Sequence, residues 1–202
     1  KDELLRQRLE ELLHVVRDRI AVQPGVMSLF FTDDWRAVPD HDSYGHDIET
    51  AYLMLEAAAA LGRPNDEATA KMARMMVDHS MAYGWDAAHG GIYHSGPYAG
   101  RPDDLLKEWW VEMETLNTLL LMHEKYGAET DTYWKAFQLQ LQYLEKYQMD
   151  AQFHGDYELI QPDGKPTSTV KGRIWKAAYH DGRALMNVSE RLRAMAGAKP
   201  QR

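Results

Sequence analysis

The chain has 202 residues, 45% of them apolar, a formal net charge of −8 and no cysteine. That length allows one domain with a sizeable core, the acidic balance without a basic stripe argues against nucleic-acid binding, and the lack of cysteine excludes disulfides and thiolate zinc sites and suits a reducing cytoplasm. No apolar run approaches the roughly 18 to 20 residues that a membrane span needs.

Six segments read as helices. The first covers 2–21, where Leu5, Leu9, Leu12, Leu13, Val16 and Ile20 form one apolar stripe at helical spacing. The chain opens Lys1-Asp2-Glu3 inside this charged run, without Met, which reads as a fragment of a longer protein. The second helix covers 46–61, with Gly62 as its C-cap and Pro64 blocking continuation. It has almost no polar face, so it is expected to be buried nearly all round. The third covers 66–83, the fourth 107–126 with Gly127 as its stop, the fifth 129–147 and the sixth 179–195. Helices three and five have polar opposite faces.

Short turns join helices two to three and four to five. Long segments, 22–45, 84–106 and 149–178, precede helices two, four and six. Each is rich in Gly, Pro, Asp and aromatic residues, and long ordered loops in compact domains usually carry function. Buried and half-exposed helices alternating in this way fit an inner and an outer ring. The expected fold is all-α, an α/α toroid, as a single domain over 1–202. Chemistry is expected at the long-loop end, at the N-termini of the inner helices.

Three constellations lie there. In Ser43-Tyr44-Gly45-His46-Asp47-Ile48-Glu49, His46 and Glu49 are three apart and share a helical face. An imidazole beside a carboxylate suits proton transfer; helix capping by Asp47 and Glu49 explains the same residues. In Lys107-Glu108-Trp109-Trp110-Val111-Glu112-Met113-Glu114, the tandem tryptophans either stack on sugar rings or fill the core. In Trp175-Lys176-Ala177-Ala178-Tyr179-His180-Asp181, a second histidine stands at a helix start equivalent to that of His46. Two such histidines at equivalent points of a repeat are more informative than either alone. His14, His79 and His123, inside helices, read as structural, and His41, His89, His94 and His154 as surface or hydrogen-bonding residues. A metal site from His41, His46 and His180 matches no ligand spacing.

The order of these motifs, with Leu29-Phe30-Phe31 and Asp33-Asp34-Trp35 before the first, resembles the N-acylglucosamine 2-epimerase and cellobiose 2-epimerase superfamily over nearly the whole chain. The resemblance implies an (α/α)6 barrel. Six helices make this chain its C-terminal half. It implies a sugar 2-epimerase that opens the reducing-end ring, removes the C2 proton and returns it to the other face of an enediolate, with no cofactor and no metal. By the same resemblance, His46 and His180 are the acid/base pair, with Glu49 as a nearby carboxylate. Trp109, Trp110, Trp175, Tyr157 and Tyr44 contact the substrate, a mono- or disaccharide with a reducing end. All five main residues, His46, Glu49, Trp109 or Trp110, Trp175 and His180, should line one concave face.

The chain departs from the family's usual residues at Ser95 (Glu), Tyr157 (Trp) and Asp181 (Asn). The upstream half normally brings an Arg and a further His. An aldose–ketose isomerase of the same superfamily, a glycoside hydrolase using two of Asp47, Glu49, Glu112 and Glu114, and a non-catalytic sugar-binding half barrel are the competing readings. Half a toroid is expected to leave helices two and four uncovered. The partner expected there is the N-terminal half or a second copy of the chain.

Overall fold

The structure, a computed structural model, describes residues 2–21 and 25–197. Positions 22–24 of the first long segment, and Lys1, lie outside the described residues. Among the described residues, six helices follow the order read from the sequence. They are α1 (Glu3–Val15), α2 (Tyr44–Ala60), α3 (Glu67–Tyr83), α4 (Trp109–Tyr126), α5 (Thr132–Tyr143) and α6 (Tyr179–Met195). Helices α1 and α5 each run on into a wider π-helical turn, Val16–Ile20 and Leu144–Gln148.

The helix ends follow local chemistry. Asp2 accepts from the backbone N–H groups of Leu4 and Leu5, and Asp66 accepts from Thr69 at 2.8 Å, each satisfying donors at a helix start. Helix α2 stops because Gly62 takes a positive φ of 79°, letting Arg63 N–H close back on the Ala58 carbonyl at 2.8 Å.

Within 1–202, read as one domain, the chain forms two compact units. The first consists of the residues up to Trp85 together with Ser95–Asp104. The second consists of Asp86–His94 and the residues from Leu105 on. In the first unit α2 packs against α1 and α3. Its long loop carries a small antiparallel hairpin, β1 (Phe30–Phe31) with β2 (Ala37–Val38), and a further bridge pairs Asp42 with Gly96. In the second unit α4 packs against α5 and α6. There β3 (Lys107–Glu108) pairs antiparallel with β4 (Leu159–Ile160).

That pairing corrects the expected start of helix four. Lys107 and Glu108 give their backbone to the third long segment, so the helix begins at Trp109, whose N–H donates to the Glu158 carbonyl at 2.8 Å. The inner-helix expectation holds for α4, which is buried continuously over 111–120. It follows that α4 is not left uncovered, against the expectation for half a toroid. Helix α2 differs in the opposite sense. Leu53, Glu56, Ala59 and Ala60 lie on an exposed stripe, so it is not buried all round. Beside that stripe, residues such as Leu9, Leu12, Val16, Leu29, Phe31 and Leu53 line an apolar groove of about 830 Å³.

A buried polar network fixes the second unit's own loop. Glu112 on α4 is wholly enclosed, accepts from Ile92 N–H at 3.2 Å and from Gln140 Nε2 at 2.8 Å, while Gln140 Oε1 accepts from Gly91 N–H at 2.9 Å. Burial pushes the Glu112 carboxyl up to about 7, against the opposing pull of Gln140 and Lys107. Lys107 is itself enclosed, donating to Asp86 at 2.8 Å and to the Gly90 carbonyl at 2.6 Å. Burial alone would raise Asp86; the Lys107 hydrogen bond and charge outweigh it and hold the carboxyl at about 2.

Candidate functional site

The second unit holds the most developed constellation. His180 sits in the first turn of α6 and is buried. Its Nδ1 lies 2.7 Å from Glu114 Oε1, and Glu114 is wholly enclosed on α4. Arg183, one turn further along α6, donates to the same Glu114 oxygen. A carboxylate shared with a guanidinium only accepts, so His180 Nδ1 carries the hydrogen of this bond. In the neutral ring the lone pair is then on Nε2, which is the arrangement a general base needs.

Aromatic rings surround this imidazole. The Trp110 centroid is 5.4 Å from it, the Tyr179 centroid 3.7 Å, and Trp109 meets it edge-on at 6.3 Å. The two tryptophans have different surroundings. Trp109 is only 3% exposed, with Lys176 Nζ 5.1 Å from its ring centre, and Lys176 is in turn paired with Asp156 at 2.7 Å. A ring enclosed in this way supports His180 from behind and has no face for a ligand. Trp110 is half-buried and retains one. Beside His180, burial and the Asp156 charge raise the Asp181 carboxyl to about 6.

The remaining aromatics expected at the substrate differ in exposure. Trp175 is 72% exposed in the loop before α6. Tyr157 is half-buried, near Phe153, Asp150 and Lys171, with Lys171 Nζ 5.6 Å from its ring centre. Tyr44 is wholly buried in the first unit and fits so tightly that a Cβ on Gly96 would stand 2.3 Å from its hydroxyl. It is a packing residue and not a substrate contact. Further chain would only bury it more.

In the first unit, His46 is exposed on the first turn of α2 and shares a 2.7 Å hydrogen bond between its Nδ1 and Ser43 Oγ. Glu49, one turn along, is half-buried. Ser43 therefore orients the imidazole instead of capping the helix with its side chain. Asp47 does not cap it either: its carboxylate is buried and accepts from Met27 N–H at 2.9 Å. Asp47 nonetheless stands in the first turn of α2, where a negative charge suits the helix N-terminus.

Sequence reasoning missed Glu114 as the partner of His180. The two are 66 positions apart, and only the packing of α4 on α6 brings them together. The one available signal was a second carboxylate, beyond Glu112, on the apolar helix α4, since such a group requires a buried partner. Arg183, two residues beyond the third motif, was given no role from the sequence.

An all-α chain of paired helices, with a carboxylate-anchored histidine among tryptophans at a helix start, is of the (α/α)6-barrel class, here with half the helices of a full barrel. The family profile described as N-acylglucosamine 2-epimerase matches residues 1–184, and the chain belongs to that family. It is similar to a cellobiose 2-epimerase of Eubacterium cellulosolvens, 28% identical over 196 residues, covering 93% of this chain and 47% of the relative. It is 25% identical over 200 residues to the N-acylglucosamine 2-epimerase of Rattus norvegicus, covering 91% and 44%. Among solved structures it superposes on the cellobiose 2-epimerase of Bacillus thermoamylovorans B4167 with a TM-score of 0.84 at 26% identity, over 94% of this chain and 48% of that one. The chain thus spans about half the length of the relatives it matches. Among the described residues no helix is long and apolar enough to cross a membrane.

Proposed function

We propose that this chain supplies the acid/base half of a sugar 2-epimerase acting on a mono- or disaccharide with a reducing end. His180 and His46 are the two proton-transfer groups, and Glu49 is a carboxylate acting beside His46. In this reading the ring-opened aldose loses its C2 proton to one imidazole, and the enediolate is reprotonated by the other on its opposite face. Trp110 offers an aromatic face to the sugar, with Trp175 and Tyr157 contributing from the loops. The observation that carries the reading is the Glu114–His180 bond of 2.7 Å, braced by Arg183, which fixes the imidazole with Nε2 as its basic nitrogen. Family membership supports the reaction type.

The complete enzyme in this proposal includes a partner for the exposed stripe of α2 and its apolar groove. That partner is the N-terminal half of the barrel or a second copy of the chain. The expected compartment is the cytoplasm.

The test is incubation of the complete protein with cellobiose, mannose and glucose in deuterated water. Epimer formation with deuterium at C2 is expected. His180→Ala and His46→Ala should each lower the rate by at least about the 10²-fold of a lost acid or base, and C2 exchange should vanish with it. Ketose formation instead of epimer would reassign the reaction to aldose–ketose isomerisation. Retained exchange in both variants would move the proton transfer to other residues.

A further inference from the structure

The first unit encloses a second cluster that the proposed chemistry does not use. Asp42 ends the long loop, Asp47 is in the first turn of α2, and His79 is on α3. One ligand-capable atom from each lies within 4.8 Å of the others. Asp42 is 0% and Asp47 1% exposed. Neither carboxylate oxygen of Asp42, nor Asp47 Oδ2, nor His79 Nδ1 makes a hydrogen bond. Buried carboxylates are almost always satisfied, because an uncompensated one is costly. Two of them turned toward one point, with an imidazole nitrogen, leave a deficit of positive charge there.

The histidine's orientation narrows what fills that deficit. His79 Nε2 lies 2.7 Å from the Tyr98 carbonyl, which only accepts, so Nε2 carries the hydrogen. The neutral ring then presents the Nδ1 lone pair to Asp42 Oδ2 at 3.3 Å. A ring nitrogen and a carboxylate oxygen at this distance are held together either by a proton on Nδ1 or by a metal cation between them. A carbonyl on the far ring nitrogen is the usual support of a metal-ligating histidine. Zinc held tetrahedrally by oxygen and nitrogen at about 2.0–2.2 Å sets its ligand atoms about 3.4 Å apart, which the 3.3 Å between His79 Nδ1 and Asp42 Oδ2 matches. Asp47 is held from behind in the same manner, its Oδ1 engaged by Met27 N–H and its Oδ2 turned to the cluster. The wholly buried Tyr44 hydroxyl, also without a hydrogen-bond partner, ends against Gly96, the residue that pairs with Asp42.

We propose that Asp42, Asp47 and His79 form a binding site for a divalent transition cation, best matched by Zn²⁺, which ties the first long loop to α2 and α3. Its role is structural. It sits one residue from His46 along the chain and fixes the turn that presents His46.

The test uses the full chain without an affinity tag. Metal content is measured after purification without chelator, and the stripped protein is titrated with ZnCl₂. The expected result is one zinc per chain and a rise in thermal midpoint of about 5–10 °C at free zinc a hundredfold above Kd. Cobalt should replace it with the visible absorption of a tetrahedral nitrogen–oxygen site. Asp42→Asn and His79→Gln should abolish both effects. Loss of the cobalt spectrum under competing zinc, in the unaltered chain, keeps the test independent of whether these variants fold. Three outcomes overturn the proposal. One is no zinc binding and no midpoint shift. A second is equal binding in the unaltered chain and in folded variants. The third is an Asp42→Asn chain that gains stability while the original ignores zinc, which would mean a proton shared between the two carboxyls.

Discussion

Replacing Glu112 by glutamine isolates the linkage between one buried proton and stability. The Glu112 carboxyl rises from 4.5 to about 7 on folding because it is enclosed. The folded chain therefore binds this proton more tightly than the unfolded chain. The stability it contributes is fully present below pH 4.5 and is lost as pH rises through 7. A rise of about 2.5 units at 1.36 kcal/mol per unit corresponds to about 3 kcal/mol between those limits. Glu112→Gln keeps the shape and removes the titration. It also sets a side-chain amide against Gln140 Nε2, which now donates to Glu112 Oε2, so at acid pH the variant should be less stable by about 1–3 kcal/mol. Urea unfolding followed by circular dichroism from pH 4.5 to 8 measures both chains. The stability difference should shrink or reverse by about 3 kcal/mol across that range. Asp47, His79 and Asp181, whose carboxyl or imidazole groups are also raised, titrate in both chains and cancel. A difference that stays constant with pH would refute the reasoning.

Glu114→Gln should lower kcat of the complete enzyme within the roughly 10²–10⁴-fold range of a disabled acid–base group, with KM little changed; steady-state kinetics of epimer formation reads both. Gly96→Ala should destabilise the chain by about 1–3 kcal/mol, because the new Cβ would stand 2.3 Å from the Tyr44 hydroxyl and 3.0 Å from Pro102 Cα; thermal unfolding measures it. The isolated chain should associate through the exposed stripe of α2, and Leu53→Lys should weaken that association. Light scattering at micromolar concentration reads it, and a stable soluble monomer would count against the partner.

Most of the helical plan is legible in the sequence because its signals are local. The Gly62 and Pro64 stop, the Asp66 cap and the span of α6 need only neighbours along the chain. The start of α4 was not legible, because Lys107 and Glu108 are drawn into a strand by residues some fifty positions later. The π-helical turns after α1 and α5 continue an apolar stripe that reads as ordinary helix. At the site, the paired helix-start histidines were visible in the motifs. What could not be read was the partner that each one meets. Glu114 and His180 come together through tertiary packing, and Asp47, placed by its position as a cap, turns inward to Met27 and Asp42. Burial separates Trp109 from Trp110 although they are adjacent, and no property of the residue type distinguishes them.

The division of the chain between its two units has a consequence for synthesis. The first unit is interrupted: its first stretch ends at Trp85, but Ser95–Asp104 returns to complete it after Asp86–His94 has entered the second. A ribosome moving at about 5–20 residues per second takes roughly 1–4 s to make the nineteen residues from Asp86 to Asp104. During that interval Asp42 lacks its pairing with Gly96 and His79 lacks the Tyr98 carbonyl. The helical residues of the first unit are synthesised before the segment whose contacts flank its Asp42–Asp47–His79 cluster. A chain cut after Trp85 would lack those contacts permanently. The first helices thus share contacts with a stretch of loop that the nascent chain delivers late.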